Sequence, residues 1–141
     1  MDYNREHSPL LVKSQAFASR IINMADYLSS NRDGRFKSIY DQVLRSGTSI
    51  MANVRESQFA QSKAGFISKF QIALIEANET IGWLILLTDK ECITEREGTS
   101  MKNDCDELIA MLTSSVNTSK KNQQIILNKC LCRVKRRVVR T

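Results

Sequence analysis

Two adjacent stretches of the chain, residues 35–59 and residues 62–90, repeat apolar residues at intervals of seven. The series are Phe36, Val43 and Ile50 with Tyr40, Gly47 and Val54 in the first stretch, and Phe66, Ala73, Thr80 and Leu87 with Phe70, Ala77 and Leu84 in the second. Residues spaced by seven lie on one face of an α-helix, and antiparallel helices with such faces cross at about 20°. The two stretches therefore predict a helical hairpin inside a bundle.

Two further helices are predicted, one on each side of this hairpin. The first opens at Ser8 and Pro9, a serine N-cap followed by proline at the first helical position, and stops near residues 29–34. The other begins at Met101, after a charged linker predicted at residues 91–100. With 5 glycines and 1 proline, the chain lacks the turn residues of a many-stranded β fold. We expect an all-α fold, an up-down-up-down antiparallel four-helix bundle.

A polar ridge runs along the predicted hairpin beside its apolar stripe. Its members are Arg45, Ser46, Ser49, Asn53 and Glu56 on the first helix and Lys69, Glu76, Glu79 and Trp83 on the second. Complementary charges across such a seam fix the register of two helices. We interpret the ridge as a structural polar seam, and a ligand-binding role is the alternative.

The turn near residue 60 sets the pairing across this seam. It places Arg45 opposite the turn of α-helix that holds Glu76 and Glu79. It also places Asn53 opposite Lys69, with Glu56 one turn away. Further along, Tyr40 is expected to lie opposite Gly82, where the missing side chain makes room for a ring.

The third helical segment, residues 62–90, has an unusually wide apolar arc. Ile67, Leu74 and Ile81 add a further series to the two already described. Such an arc is wider than a surface helix of a monomer needs. Either this helix is the most buried one of the bundle, or part of the arc meets another subunit.

Charge is distributed unevenly along the chain. Residues 1–112 carry 13 Lys and Arg against 15 Asp and Glu, whereas residues 113–141 carry 8 basic residues and no acid. We assign residues 1–121 to the bundle and residues 122–141 to a basic C-terminal tail. The sequence leaves open whether the tail continues as a helix or is a disordered arm.

The basic tail has two interpretations, a solvated end or an arm that binds nucleic-acid phosphates. The predicted phosphate contacts are Lys129, Arg133, Lys135, Arg136, Arg137 and Arg140. No aromatic residue is interleaved with them, so stacking on bases is not expected.

Residues for catalysis or metal binding do not form a recognisable pattern. A di-iron bundle needs Glu-x-x-His on two helices, but the only histidine, His7, precedes the first helix. Without a histidine in the helices, a hydrolytic triad also lacks its general base. The cysteines at positions 92, 105, 130 and 132 match no zinc spacing and are expected to be reduced. We expect no enzyme activity, no cofactor and no small-molecule substrate.

Neither export nor membrane insertion is predicted. The N-terminus is polar and lacks the apolar region of a signal peptide. The longest apolar block, residues 83–87, is far shorter than the roughly 20 residues that span a bilayer. We expect a cytoplasmic protein with no membrane partner.

Four motifs of the hairpin occur in a specific order. They read Leu44-Arg-Ser-Gly-Thr-Ser-Ile50, Ala52-Asn-Val-x-Glu56, Ser62-Lys63-Ala-x-Phe66 and Ala73-Leu-x-Glu76-Ala-x-Glu79-Thr-x-x-Trp83-Leu. In these motifs the chain resembles the bacterial four-helix-bundle proteins encoded in 23S rRNA intervening sequences. That family includes the accessory variability determinant of diversity-generating retroelements, and the resemblance covers about residues 16–120.

The resemblance implies a tapered homopentameric ring with a nucleic-acid-associated role. In the retroelement branch the ring binds reverse transcriptase and RNA. Met51 stands where the family usually has glycine, and the chain after Lys121 departs from the family pattern. Two hypotheses follow: a nucleic-acid-associated oligomer whose partner is RNA or a nucleic-acid-processing protein, or a structural scaffold that docks a protein such as a reverse transcriptase.

Overall fold

The computed structural model describes residues 7–31 and 34–138. The helices are α1 (Pro9–Asn31), α2 (Lys37–Ser57), α3 (Lys63–Asp89) and α4 (Glu95–Val138), and a short 3-10 turn (Gly34–Phe36) precedes α2. No strand occurs in the described ranges. The expected all-α class is therefore confirmed.

Neighbouring helices run antiparallel, because rising residue numbers on one helix meet falling numbers on the next. At one end of the bundle Gln58 Nε2, just after α2, donates to Ser8 Oγ, just before α1, at 3.2 Å. Further along, Ile21 packs against Gly47. The same reversal appears in Arg45–Glu76 and Glu56–Lys69 for α2 and α3, in Ala77–Cys105 and Thr88–Gly98 for α3 and α4, and in Lys13–Glu107 and Arg20–Asp104 for α1 and α4.

Contacts between helices close the four into an up-down-up-down bundle. α2 packs against α1 and α3, and α4 packs against α3 and, less extensively, α1. α1 and α3 therefore lie diagonally across the bundle, as do α2 and α4. The predicted topology is confirmed.

The core contains most of the seven-residue series that the sequence predicts, and Phe36 and Phe66 are half-buried and pack against it. Its largest fully buried side chains include Phe17, Leu28, Tyr40, Ile50, Leu84, Leu108 and Leu112. Fully burying a side chain such as leucine stabilises the fold by about 1.5–3 kcal/mol. At Gly47 the two helices approach so closely that an added Cβ would lie 2.8 Å from Ile21 Cγ1.

Side-chain caps set the starts of three helices. Ser8 Oγ and Ser62 Oγ each accept from the backbone N–H three residues on, at 3.2 and 3.0 Å. Before α4, the backbone N–H of Thr94 donates to Glu97 Oε2 at 2.8 Å, and the backbone N–H of Glu97 donates to Thr94 Oγ1 at 3.1 Å. Such reciprocal bonds form a capping box, which satisfies two otherwise unpaired donors.

The start of α4 corrects the sequence prediction. Residues 91–100 were expected to form a linker, but α4 already begins at Glu95, and the connection from α3 spans only residues 90–94. The capping box begins the helix within the charged segment. Gly98, which lies in the predicted linker, is instead buried in α4 beside Thr88 Oγ1, where there is no room for a Cβ.

The pairing of Tyr40 with Gly82 was also predicted wrongly. Gly82 is exposed, and an added Cβ there would meet nothing within 4 Å. The buried Tyr40 hydroxyl lies 4.0 Å from Cys92 Sγ instead. Arg45 nevertheless contacts Glu76 and Glu79, as the predicted register requires, and Ser46 contacts Thr80.

α3 alone among the described helices is long and apolar enough to cross a membrane, judged by length and composition. Core helices of bundles meet the same criterion, so the finding is weak evidence for a span. In this fold α3 contributes Lys69, Glu76 and Glu79 to ion pairs with α2.

α4 continues well past the other helices. Ser119 is its last buried side chain, and the described side chains of residues 120–133 are exposed except for half-buried Gln123. From Ser119 to Val138 the helix rises about 28 Å at 1.5 Å per residue. We call this part of α4, residues 120–138, the α4 extension. Of the two forms considered for the tail, the structure has the helix as far as Val138, and the domain boundary after residue 121 stays a prediction.

Candidate functional site

Arg45 joins two carboxylates on α3. Its Nη1 lies 3.1 Å from Glu76 Oε2, and its Nη2 donates to Glu79 Oε1. Trp83 Nε1 donates to the same Glu79 oxygen at 3.1 Å. The structure thus brings four residues of the predicted seam into one hydrogen-bonded cluster.

This cluster lies at the edge of the bundle rather than in its core. The side chain of Arg45 is 47% exposed, that of Glu76 16% and that of Glu79 33%. Hydrogen bonds from Arg45 and then Trp83 hold the pKa of Glu79 below its usual value. The bond to Glu79 likewise raises the pKa of Arg45. Ion pairs of this exposure contribute up to about 1 kcal/mol to stability.

Ser46 and Thr80 form the buried part of the seam. Their hydroxyl oxygens are 2.8 Å apart, and the two side chains also bond the carbonyls of Val43 and Glu76 in their own helices. Sequence reasoning placed Thr80 in the apolar series and missed this contact. The signal was present, because Thr80 follows Glu76 by four residues and therefore lies on the same helical ridge.

The other end of the seam differs from its predicted pairing. Lys69 Nζ pairs with Glu56 Oε2 at 2.5 Å, rather than with Asn53. Asn53 Nδ2 donates to the Ser49 carbonyl of its own helix at 2.8 Å. The long lysine side chain reaches the charged partner one turn away, while the short asparagine satisfies itself locally. Charge, not alignment alone, decides this contact.

The chemistry available to the seam is pairing between helices. Arg45 and Lys69 each contact a carboxylate across the α2–α3 interface, and the buried hydroxyls contact each other. These contacts would hold the hairpin in one register. That role for the seam stays a prediction.

Potential metal ligands and cysteines are the other candidates for a site in the described part of the chain. Across residues 7–31 and 34–138, no three His, Cys, Asp or Glu side chains converge on a metal position. Cys92 and Cys105 are buried, and Cys130 and Cys132 are exposed. Burial raises the pKa of the Cys105 thiol to about 12, helped by Asp106 and Asp104, so the thiol stays protonated and donates to the Ala77 carbonyl at 3.4 Å.

Two of the predicted phosphate contacts have described side chains, and both lie on the α4 extension. Lys129 and Arg133 are exposed on it, as are Lys120 and Lys121 nearer the bundle. The side chains of Lys135, Arg136 and Arg137, and the whole of Arg140, lie outside the described residues. The extension therefore presents at least four basic side chains on a single exposed helix.

The family model of the 23S rRNA-intervening sequence proteins matches residues 7–114. This chain belongs to that family. The sequence resemblance is thereby confirmed at the level of the family. The match includes the complete polar seam and ends before the α4 extension.

A solved structure similar to this member of the 23S rRNA-intervening sequence family is described as a protein with unknown function from the S23 ribosomal protein family of Bacteroides thetaiotaomicron. The two chains are 45% identical, with a TM-score of 0.73, and the match covers 76% of this chain and 97% of the other. No curated protein matches the chain. The comparisons indicate no enzyme family.

Proposed function

We propose that this member of the 23S rRNA-intervening sequence family is a non-enzymatic cytoplasmic protein that forms a homopentameric ring and associates with RNA. The α4 extension is the observation that carries the RNA proposal. It is an exposed helix with basic side chains, and the chain has no acidic residue after residue 112. Basic side chains without aromatic neighbours favour contacts to phosphates, which are tolerant of sequence.

Two uncharged outward faces support a ring. On α1 the exposed ridge is Val12, Ala16, Ser19, Asn23 and Tyr27, and on α3 it is Ala64, Ser68, Ile75, Gly82 and Leu86. Because α1 and α3 are diagonal, these faces point in opposite directions. Pairing the α1 face of one protomer with the α3 face of the next gives a head-to-tail contact, which closes into a ring when the rotation permits. The number five comes from the family resemblance.

A ring would multiply the weak attraction of a single basic arm. Linking several arms on one particle raises the effective concentration of the second and later contacts, provided one RNA can reach them together. The body of the protomer has a slight excess of acid over residues 1–112. We therefore assign RNA affinity mainly to the extension.

An RNA titration at several salt concentrations tests this function. The intact chain is compared with a chain lacking residues 122–141, using single-stranded RNAs of unrelated sequence. We expect the intact chain to bind all of them, with a log–log slope against salt of about −0.7 per phosphate neutralised. Truncation should remove most of the affinity and flatten the slope.

Replacing Lys135, Arg136 and Arg137 together by glutamine provides a finer variant. If all three contact phosphates, the slope should flatten by about two units per engaged arm. Unchanged affinity after truncation would assign binding to the bundle instead. Absence of RNA binding by both chains would refute the RNA function.

The alternative is a scaffold that docks a protein such as a reverse transcriptase. The family resemblance favours it, because the retroelement branch binds such an enzyme. Retention of a reverse transcriptase by the truncated chain, without RNA affinity in the intact chain, would support the scaffold.

A further inference from the structure

The apolar stripe that faces the bundle core continues along the α4 extension without interruption. Within the bundle its buried members are Met101, Cys105, Leu108, Leu112, Val116 and Ser119. Steps of four, three and four residues lead from Ser119 to Gln123, Ile126 and Cys130, and Leu127 and Leu131 lie beside them. Ile126, Leu127 and Leu131 are each more than half exposed. We call these five residues from Gln123 to Leu131 the extension stripe.

Helical geometry determines the direction of the extension stripe. Since it continues the core-facing positions of a single helix, it points into the space beyond the ends of the other three helices. A cavity of about 750 Å³ opens at that end of the bundle. Its apolar lining includes Leu10, Val54, Phe66, Phe70 and Met111. On α4 the lining includes Met111 and Ser115, and Ser115 lies about 12 Å of helix before Gln123.

A flat membrane does not fit this arrangement. The other helices stand on the same side as the stripe, at the 8–10 Å axis separations usual for packed helices. A planar surface approaching the stripe would meet their ends first. A single helix has the right width, because it would occupy the position that a longer neighbouring helix would fill.

Charge decides between a second copy and a different partner. Lys120 and Arg133 border the extension stripe, and no acid follows residue 112. Two extensions packed stripe to stripe would bring like charges together, which disfavours pairing at the flanks of a helical seam. A helix with carboxylates at those flanks would instead be attracted.

We propose that the extension stripe and the cavity at that end of the bundle form a docking site for one acidic amphipathic helix of a partner protein. In this binding mode the apolar face of the partner helix packs against the apolar extension stripe, and its anchor residues are three and four residues apart. Lys121 and Lys129 lie on the far side of the helix, about 120–160° away at 100° per residue. Phosphate contacts made by Lys121 and Lys129 therefore use a different face from helix docking, and the proposal does not rest on RNA binding.

A synthetic peptide tests the docking site. The probe is a fluorescein-labelled helix of three heptads with leucine at positions a and d and glutamate at e and g, and its matched partner has lysine at e and g. Anisotropy titration of the intact chain should give at least about tenfold tighter binding of the glutamate peptide, a difference of about 1.4 kcal/mol.

Two adjacent isoleucines supply matched variants of the chain. Ile126 is 59% exposed on the stripe, and Ile125 is 48% exposed on the opposite face. Ile126→Ser should weaken binding of the glutamate peptide at least about tenfold, because it removes an anchor from the docked face. Ile125→Ser should leave the affinity within about twofold, since its side chain would stay in solvent.

Several results would overturn the proposal. Equal binding of both peptides would refute the preference for an acidic partner. Equal losses of affinity for both isoleucine variants would show that the extension stripe is not the docked face. An oxidative cross-link through Cys130, but not through Cys132 two residues on, would assign the stripe to a second copy. Sedimentation with phosphatidylserine vesicles that Ile126→Ser abolishes would assign it to lipid.

RNA affinity separates this proposal from the proposed function. Lys121→Gln with Lys129→Gln should weaken RNA binding more than peptide binding. Ile126→Ser should do the reverse. RNA affinity that falls with Ile126→Ser but not with the lysine pair would assign the stripe to nucleic acid and refute the docking site.

Discussion

Burial separates the polar contacts of the seam into two kinds. The hydroxyls of Ser46 and Thr80 are enclosed, so removing one of them leaves the other reliant on the backbone of its own helix. The remaining hydroxyl keeps that partner, so the cost is that of one hydrogen bond, about 0.5–1.5 kcal/mol. The guanidinium of Arg45, in contrast, is half exposed, and water replaces part of any contact it loses.

Arg45→Ala should lower the free energy of unfolding by about 1 kcal/mol, because a half-exposed ion pair is lost and Glu76 is left only partly solvated. Urea unfolding measures the change. Lys37→Ala is the control, since it removes an exposed pair with Asp41 within one helix and should cost at most about 0.5 kcal/mol. A loss of 3 kcal/mol or more for Arg45→Ala, on the order of a buried pair, would contradict the exposed geometry.

The lowered pKa of Glu79 predicts a dependence of stability on pH. A carboxylate whose pKa is depressed by folding stabilises the protein above its ordinary pKa, and this contribution is lost as pH falls through the folded value. The difference in unfolding free energy between the native chain and Glu79→Gln should thus be full at neutral pH and shrink below about pH 4.5, the ordinary glutamate value. Urea unfolding between pH 7 and pH 3 measures it. A difference that stays constant would show that Glu79 is not ionised in its bonds to Arg45.

Two glycines show how differently the helices use the same residue. Gly47 in α2 lies against Ile21 of α1, whereas Gly82 in α3 faces open space. Only at Gly47 does the absence of a side chain set the distance between helices. At Gly82 the missing Cβ costs helical stability without a packing gain inside the protomer.

Gly47→Ala should therefore destabilise the bundle by about 1–2 kcal/mol, since overpacking outweighs the gain in helix propensity. Gly82→Ala should stabilise it by about 0.5–1 kcal/mol. Urea unfolding compares the two variants, after light scattering has shown that both have the same assembly state. Equal stability of the two variants would mean that Ile21 yields without cost.

Local sequence signals predicted the elements better than they predicted the contacts. The caps Ser8 and Ser62 mark helix starts within a few residues, so they could be recognised directly. The capping box at Thr94 was equally local, but the surrounding charges resembled a linker. Partners across the seam were harder to predict, because the non-helical residues between α2 and α3 set the register. The Ser46–Thr80 contact was therefore not predicted.

At the scale of the whole molecule, ion pairs join helices that are neighbours in the bundle. α1 uses Lys13 and Arg20 to pair with α4, and α3 uses Lys69, Glu76 and Glu79 to pair with α2. These pairings leave the ridges on the diagonal outward faces uncharged. Exposed apolar side chains on such faces are typical of surfaces that meet another protein.

Ile75→Glu should break the proposed ring without unfolding the protomer, because it places a charge on the exposed ridge of α3. Multi-angle light scattering should give a mass near five times 16.1 kDa for the native chain and a much smaller mass for the variant. Ala110→Glu, on the exposed side of α4, is the control and should leave the mass unchanged. A native mass near that of one chain would refute the oligomer.

α4 passes through the end of the bundle as one continuous helix, so each residue inserted in it both rotates and translates the extension. Inserting one residue after Ser119 would turn everything beyond it by about 100° while moving it only about 1.5 Å. Inserting seven would move it about 10 Å yet restore its direction to within about 20°. Variants with inserted residues should therefore alternate between binding and not binding the docked helix, with the period of the α-helix. The orientation of the extension stripe, rather than the length of the extension, then determines what it binds.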